Sequence, residues 1–218
     1  MSETRSGPRV YRSELRQRQA AETRQRVVEA AMTLFSRQGY QATTFAQIAQ
    51  GAGVSSETVQ KHGPKTALLQ AAVELASFGV EGETDLFATD FGRALQTVPD
   101  QDELAQLIGD GMIAINAPTA GLWMTVVGAA QGDDELRGFQ ARMLASVRDQ
   151  IERVLDYCAE RGWLRLDVPF DDLVEAMCVI TCVETYVRVV ELDGKSPDDY
   201  RAFVTRTVRE TILTRPGG

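Results

Sequence analysis

The sequence predicts an all-α protein, and three observations carry that reading. Apolar residues recur at helical spacing through most of the chain, as in Val27, Ala31, Leu34 and Phe35. The segments between these stripes hold helix punctuation: Ser or Thr before a start, Gly or Pro after a stop. No run shows the apolar–polar alternation between turn signals that a sheet needs, since Val126-Val127 and Val189-Val190 sit inside 3.6-residue patterns.

Taken in order, residues 1–14 are polar and Arg-rich, and are expected to form a mobile basic arm. A helical pattern develops from about Glu14 and stops at Gly39. Thr44 with Gln47 reads as a capping box, opening a short helix with Phe45, Ile48, Ala49 and Ala52 on one face. Gly53 suits its left-handed end, and Ser55 caps the next helix, with Val54 and Val59 placed as a hydrophobic staple. Pro64 suits the first turn of a fourth helix, whose apolar positions Leu68, Leu69, Ala72 and Val73 lead to about Phe78. Residues 79–99 have weak periodicity and read as a loop with some helix. Further helices are expected at about 101–116, 119–131, 134–161, 171–192 and 197–213. The breakers are Asn116-Ala-Pro118, Gly132-Asp-Asp, Gly162, Pro169 and Asp193-Gly-Lys-Ser-Pro197. Ser196-Pro197-Asp198-Asp199 combines a cap, Pro at the first helical position and acids on the positive end of the dipole.

Charge divides this chain of 218 residues and net charge −8 unequally. Residues 1–70 carry ten Arg or Lys against five Glu, and the remainder carries the deficit. A basic end on an acidic protein suggests a polyanionic partner for that end alone. The N-terminus lacks the apolar stretch of a signal peptide, and the apolar window 107–131 is interrupted by Asp110, Asn116 and Pro118. A cytoplasmic protein with no membrane partner is therefore expected. Cys158, Cys178 and Cys182 lack C-x-x-C spacing, and the single His62 is remote from them. Buried thiols are the expectation, with no metal and no cofactor.

The stretch 43–69 answers the charge split. A helix, a Gly turn and a second helix capped by Ser form a helix-turn-helix, whose second helix can enter a major groove about 12 Å wide. Its apolar positions are used in holding the two helices together, which leaves Ser56, Glu57, Thr58, Gln60 and Lys61 outward. Thr44 and Ser55 stand at helix starts that can bind phosphate, and His62 closes the second helix. Lys65 adds a cation at the next helix, and Arg12, Arg16, Arg18 and Arg24 supply a salt-sensitive attraction.

These residues also resemble the DNA-binding domain of the tetracycline-repressor (TetR) family. The matching positions are Thr43-Thr44, Ile48-Ala49, Ala52-Gly53-Val54-Ser55, Thr58-Val59, His62, Lys65 and Leu68-Leu69. Ala30-Ala31, Leu34-Phe35 and Gly39-Tyr40 fit the preceding helix, so the resemblance covers about residues 22–75. The sequence departs from the pattern at Gln60, where the family usually has Tyr, and by one residue missing after His62. The C-terminal part is similar to an actinobacterial-type subgroup, in its ERGWLR, TCVETYVRVV and SPDDYRAFVTRTV segments.

The resemblance implies a helix-turn-helix domain over 15–63, a connecting helix over 64–78 and an effector-binding and dimerisation domain over 79–218. It implies a homodimer formed by the last two long helices, with Val179, Val183, Val187, Val190, Phe203, Val204 and Val208 supplying apolar surface. Two recognition helices would then sit about 34–36 Å apart on a palindromic operator in double-stranded DNA. A small-molecule effector would lie between the C-terminal helices, lined by Met112, Trp123, Met124, Phe139, Met143 and Met177. Tyr157, Thr181, Glu184 and Tyr186 would be its polar handles. Glu184 and Arg188 stand at i, i+4, where an ordinary surface ion pair is the plainer use of the glutamate.

The leading expectation is thus a dimeric, DNA-binding transcriptional regulator, of the repressor type, released by an effector. One alternative is a regulator-derived interaction module without DNA binding. Another is a small α-helical enzyme, but no nucleophile motif, phosphate loop or metal set is present to support it.

Overall fold

The structure, a computed structural model, describes residues 8–82 and 85–214, with side chains from Leu15 onward. Ten α-helices make up the described residues: α1 (Pro8–Ala42), α2 (Phe45–Ala52), α3 (Ser56–Lys61), α4 (Lys65–Phe78), α5 (Asp90–Leu95), α6 (Gln101–Ala130), α7 (Asp134–Glu160), α8 (Phe170–Thr181), α9 (Val183–Tyr186) and α10 (Pro197–Thr211). A 3-10 turn at Leu86–Ala88 precedes α5, and a π-helical turn at Val187–Leu192 follows α9. The only strand-like pairing among the described residues is an isolated bridge between Leu164 and Leu213.

Local chemistry explains the N-terminal helices. The Thr44 side chain accepts from the Gln47 amide while the Gln47 side chain accepts from the Thr44 amide, so the expected capping box forms. Gly53 ends α2 at φ 67°, a left-handed conformation that favours glycine. Ser55 caps α3 through the Thr58 amide, and Val59 is fully buried below with Val54 packed beside the same core. α1 begins at Pro8, upstream of the expected Glu14, and Gly39 leaves helical geometry at φ 77°. The rest of the expected arm, residues 1–7, lies outside the described residues. Pro64 is the cap of α4 rather than its first helical residue.

Two expectations about the long helices are corrected. α6 runs unbroken through Pro118, where a break was expected. Proline removes one donor, to the carbonyl four residues back, but Ala114, Ala117 and Pro118 all face solvent, where water can take that bond. The segment 171–192, expected as one helix, breaks at Cys182, whose backbone is extended at ψ 156°. Side chains take up the freed carbonyls there: Asn116 Nδ2 donates to the Thr181 carbonyl at 3.0 Å, and Thr185 Oγ1 to that of Val179 at 2.6 Å.

α6 organises the molecule. Its first half joins α7, α8 and α10 in a C-terminal core around Leu104, Ile108, Leu155, Leu173, Tyr200 and Val204. Its second half gives Leu122, Trp123 and Val126 to a different core, shared with α1, α2, α3, α4 and the start of α7. Small residues permit close approach: a Cβ on Gly111 would stand 2.1 Å from the Phe91 ring. By length and composition α6 could cross a membrane, the one such helix among the described residues, although its apolar side chains feed both cores.

Candidate nucleic-acid interface and effector cavity

α3 presents the surface the sequence predicts. Ser55, Ser56, Glu57, Gln60 and Lys61 are exposed, Thr58 is half-buried, and Thr44 is exposed at the start of α2. Lys61 pairs with Glu57 at 2.9 Å, a solvent-exposed i, i+4 contact that exchanges readily for a phosphate. His62 closes α3, and burial together with the nearby Arg24 guanidinium lowers its pKa. Arg16 and Arg18 are exposed on α1, while the side chain of Arg12 lies outside the described residues.

Two expected DNA-facing cations are directed inward instead. Lys65 Nζ donates to the Tyr40 and Thr43 carbonyls at 2.8 and 3.1 Å and lies 4.2 Å from the Tyr40 ring centroid. It holds the end of α1 and the entrance to α2, and burial lowers its pKa. Arg24 donates to the His62 carbonyl at 2.6 Å and to both Glu81 oxygens, tying α1 to the end of α3 and to the segment after α4. Both charges are committed because unpaired C-terminal carbonyls beside them need donors.

A cavity of about 150 Å³ lies in the C-terminal half. Of the ten expected effector residues, Met112, Trp123, Met143, Thr181 and Glu184 line it. The other five do not. Met124 points outward, Phe139 is buried in the core shared with α1–α4, and Met177 and Tyr186 belong to the C-terminal core. Tyr157 stacks edge-on with Trp163 beneath Arg161, outside the cavity. Helical periodicity identifies the buried stripe of each helix but not which part of the stripe a neighbour leaves uncovered.

Sequence reasoning missed Val73, Ser77 and Phe78 of α4, Leu86, Asn116, Thr119, Leu144, Val147 and Gln150. Asn116 carried a signal, a polar residue inside an apolar helix, but was read as a breaker. Most polar groups on the wall are satisfied internally. Asn116 Nδ2 also donates to Tyr200 Oη at 2.8 Å, Thr119 and Thr181 hydroxyls donate to carbonyls on their own helices, and Gln150 accepts from the Leu86 amide. The expected Glu184–Arg188 pair is replaced: Arg188 pairs with Asp193, and Glu184 Oε1 accepts from Trp123 Nε1 at 2.7 Å.

The expected dimer residues divide as well. Val179 is exposed, and Val183, Val190 and Phe203 are half-buried. Val204 and Val208 are fully buried and Val187 is buried, so these three serve the protomer's own core. α10 turns that stripe onto α6 and α8.

A helix-turn-helix head with an exposed α3 is thus joined through α4 to a larger helical body with a cavity. Residues 27–73 match the family model described as bacterial regulatory proteins, tetR family. The whole fold is shared with solved structures of low identity. A protein from Saccharomonospora viridis solved with choline is 21% identical at TM-score 0.70, over 89% of this chain and 100% of that one. The SmeT–triclosan complex is 18% identical at TM-score 0.64, over 89% of this chain and 93% of that one. The fatty acid degradation regulator FadR from Bacillus halodurans is 17% identical at TM-score 0.68, over 87% and 95%. No curated protein matches the sequence.

Proposed function

We propose that the chain is a homodimeric repressor, of the actinobacterial-type subgroup, that a small-molecule effector releases from a palindromic operator. One observation carries the reading: the cavity shares a wall with the connecting helix. Val73 and Phe78 of α4 line the cavity, while Leu68 and Leu69 of the same helix are buried in the core beneath α3. A ligand that wedges against Phe78 acts on α4 directly, and Arg24 and Lys65 tie the ends of α4 to α1 and α3. The effector would bind best to the conformer whose recognition helices are wrongly spaced, so DNA affinity falls by its differential affinity for the two states. Choline in the Saccharomonospora viridis protein and triclosan in SmeT lend support to a small-molecule effector.

Val179 of α8, Val190 of the π-helical turn and Phe203 of α10 supply the proposed dimer surface, whereas Val183 of α9 lines the cavity. Fluorescence anisotropy with palindromic DNA from upstream of the gene tests the whole scheme. Salt-dependent, sequence-selective binding by a dimer is expected, and Val179→Arg should give a monomer that loses it. Absence of selective binding by the dimer refutes the proposal. Inward commitment of Arg24 and Lys65 is what favours the interaction-module alternative, and retained partner binding without any DNA affinity would establish it.

A further inference from the structure

We propose that the cavity selects a small amphiphilic cation, an apolar body bearing one ammonium group that docks at Glu184; this rests on the cavity being the effector site. The inference starts from which polar atoms on the wall are uncommitted. Asn116 must point its amide nitrogen at the Thr181 carbonyl, because a carbonyl can only accept, so its Oδ1 is left facing away from that bond. Glu184 spends Oε1 on Trp123 Nε1, and its Oε2 has no bond among the described residues. Both of these atoms are acceptors, and the Ser77 hydroxyl on the α4 side of the wall can accept as well as donate.

The charge balance points the same way. No Lys or Arg lines the cavity, and Glu184 is its single ionisable carboxylate. Arg188, one turn on and placed to neutralise it, is held by Asp193 through Nε and Nη2. Most of the remaining wall is apolar, and two of its α7 residues, Leu144 and Val147, are also solvent-exposed, 50% and 39%. They give an alkyl tail an apolar route out of a 150 Å³ space. An anionic ligand would meet a carboxylate and no cation, and a neutral one would leave the buried Asn116 acceptor without a donor, while the exposed Glu184 carboxylate is open to water.

Octylammonium, 1-octanol and octanoate share a tail and differ in the head, so isothermal titration calorimetry with these three probes isolates the head group. Octylammonium should bind at least about tenfold more tightly than octanoate and more tightly than octanol, as expected for a charge-assisted hydrogen bond. Glu184→Gln should abolish the preference over octanol while octanol itself still binds, which shows that the variant is folded. Octanoate binding as well as octylammonium, a preference that survives in Glu184→Gln, or no binding by octylammonium overturns the inference. Anisotropy of operator DNA with each probe separates the two readings. Release by octanol or octanoate alone leaves the effector role standing and removes the cation. Glu184-dependent binding of octylammonium with unchanged DNA affinity keeps the cation and removes the effector role.

Discussion

Replacing Asn116 with alanine should destabilise the protein by about 3 kcal/mol, because two buried groups lose their shared donor. Asn116 is 2% exposed, and its amide nitrogen reaches the Thr181 carbonyl at 3.0 Å and Tyr200 Oη at 2.8 Å. The Thr181 carbonyl is the last of α8, where the backbone turns extended and no helical donor follows. Tyr200 is itself fully buried, and burial pushes its hydroxyl pKa up to about 12, so it cannot ionise in compensation. Each unsatisfied group costs roughly 1–3 kcal/mol, so the two give about 2–6 kcal/mol, to which truncation adds a small cavity, and about 3 kcal/mol lies in the lower part of that range. For a chain of this length that corresponds to a fall in Tm of roughly 6–12 °C at 3 kcal/mol. Urea titration at fixed protomer concentration should show a lower midpoint with unchanged slope. Tyr200→Phe alone should cost about 1 kcal/mol, and the double variant should cost less than the sum of the two. If Asn116→Ala unfolds within about 0.5 kcal/mol of the parent, or the two changes are additive, the bridge between α6, α8 and α10 has no energetic role.

Lys65→Met should cost about 1.5–3 kcal/mol of stability, the scale of charged hydrogen bonds, and leave the salt slope of DNA binding unchanged. Lys61→Ala should do the reverse, lowering that slope by about one with little effect on unfolding. Cys158, whose thiol burial pushes up to about 12, should resist a thiol reagent at pH 8 until urea unfolds the chain, and labelling read by mass spectrometry checks this. His62 has a lowered pKa in the folded state, so below its ordinary value of 6.5 the unfolded chain binds more protons. Stability should therefore fall as pH drops through about 6.5, and His62→Gln should flatten that part of the pH–stability curve.

The helix-turn-helix head was the more legible half because its determinants are local. Thr44 with Gln47, Gly53 and Ser55 each act within a few residues, and each adopts the conformation its chemistry requires. What the sequence left open depends on contacts between distant segments. Lys65 and Arg24 read as free cations until the carbonyls of Tyr40, Thr43 and His62 are seen beside them. Pro118 reads as a breaker until it is seen facing solvent, and the Cys182 break has no proline or glycine to announce it.

The C-terminal half shows why a stripe is not an interface. Val204 and Val208 recur at the same spacing as Tyr200, and that spacing marks the buried face of α10 whether a neighbour belongs to the same chain or to another. Exposure decides between them, and α10 has spent this stripe inside the protomer. A dimer built on these helices must therefore use the flanking residues, Phe203 on α10 and Val179 on α8, which retain accessible surface. The same logic applies to the cavity: Met177 is consumed by packing, whereas Glu184 lines the cavity with one side of its carboxylate unpaired among the described residues.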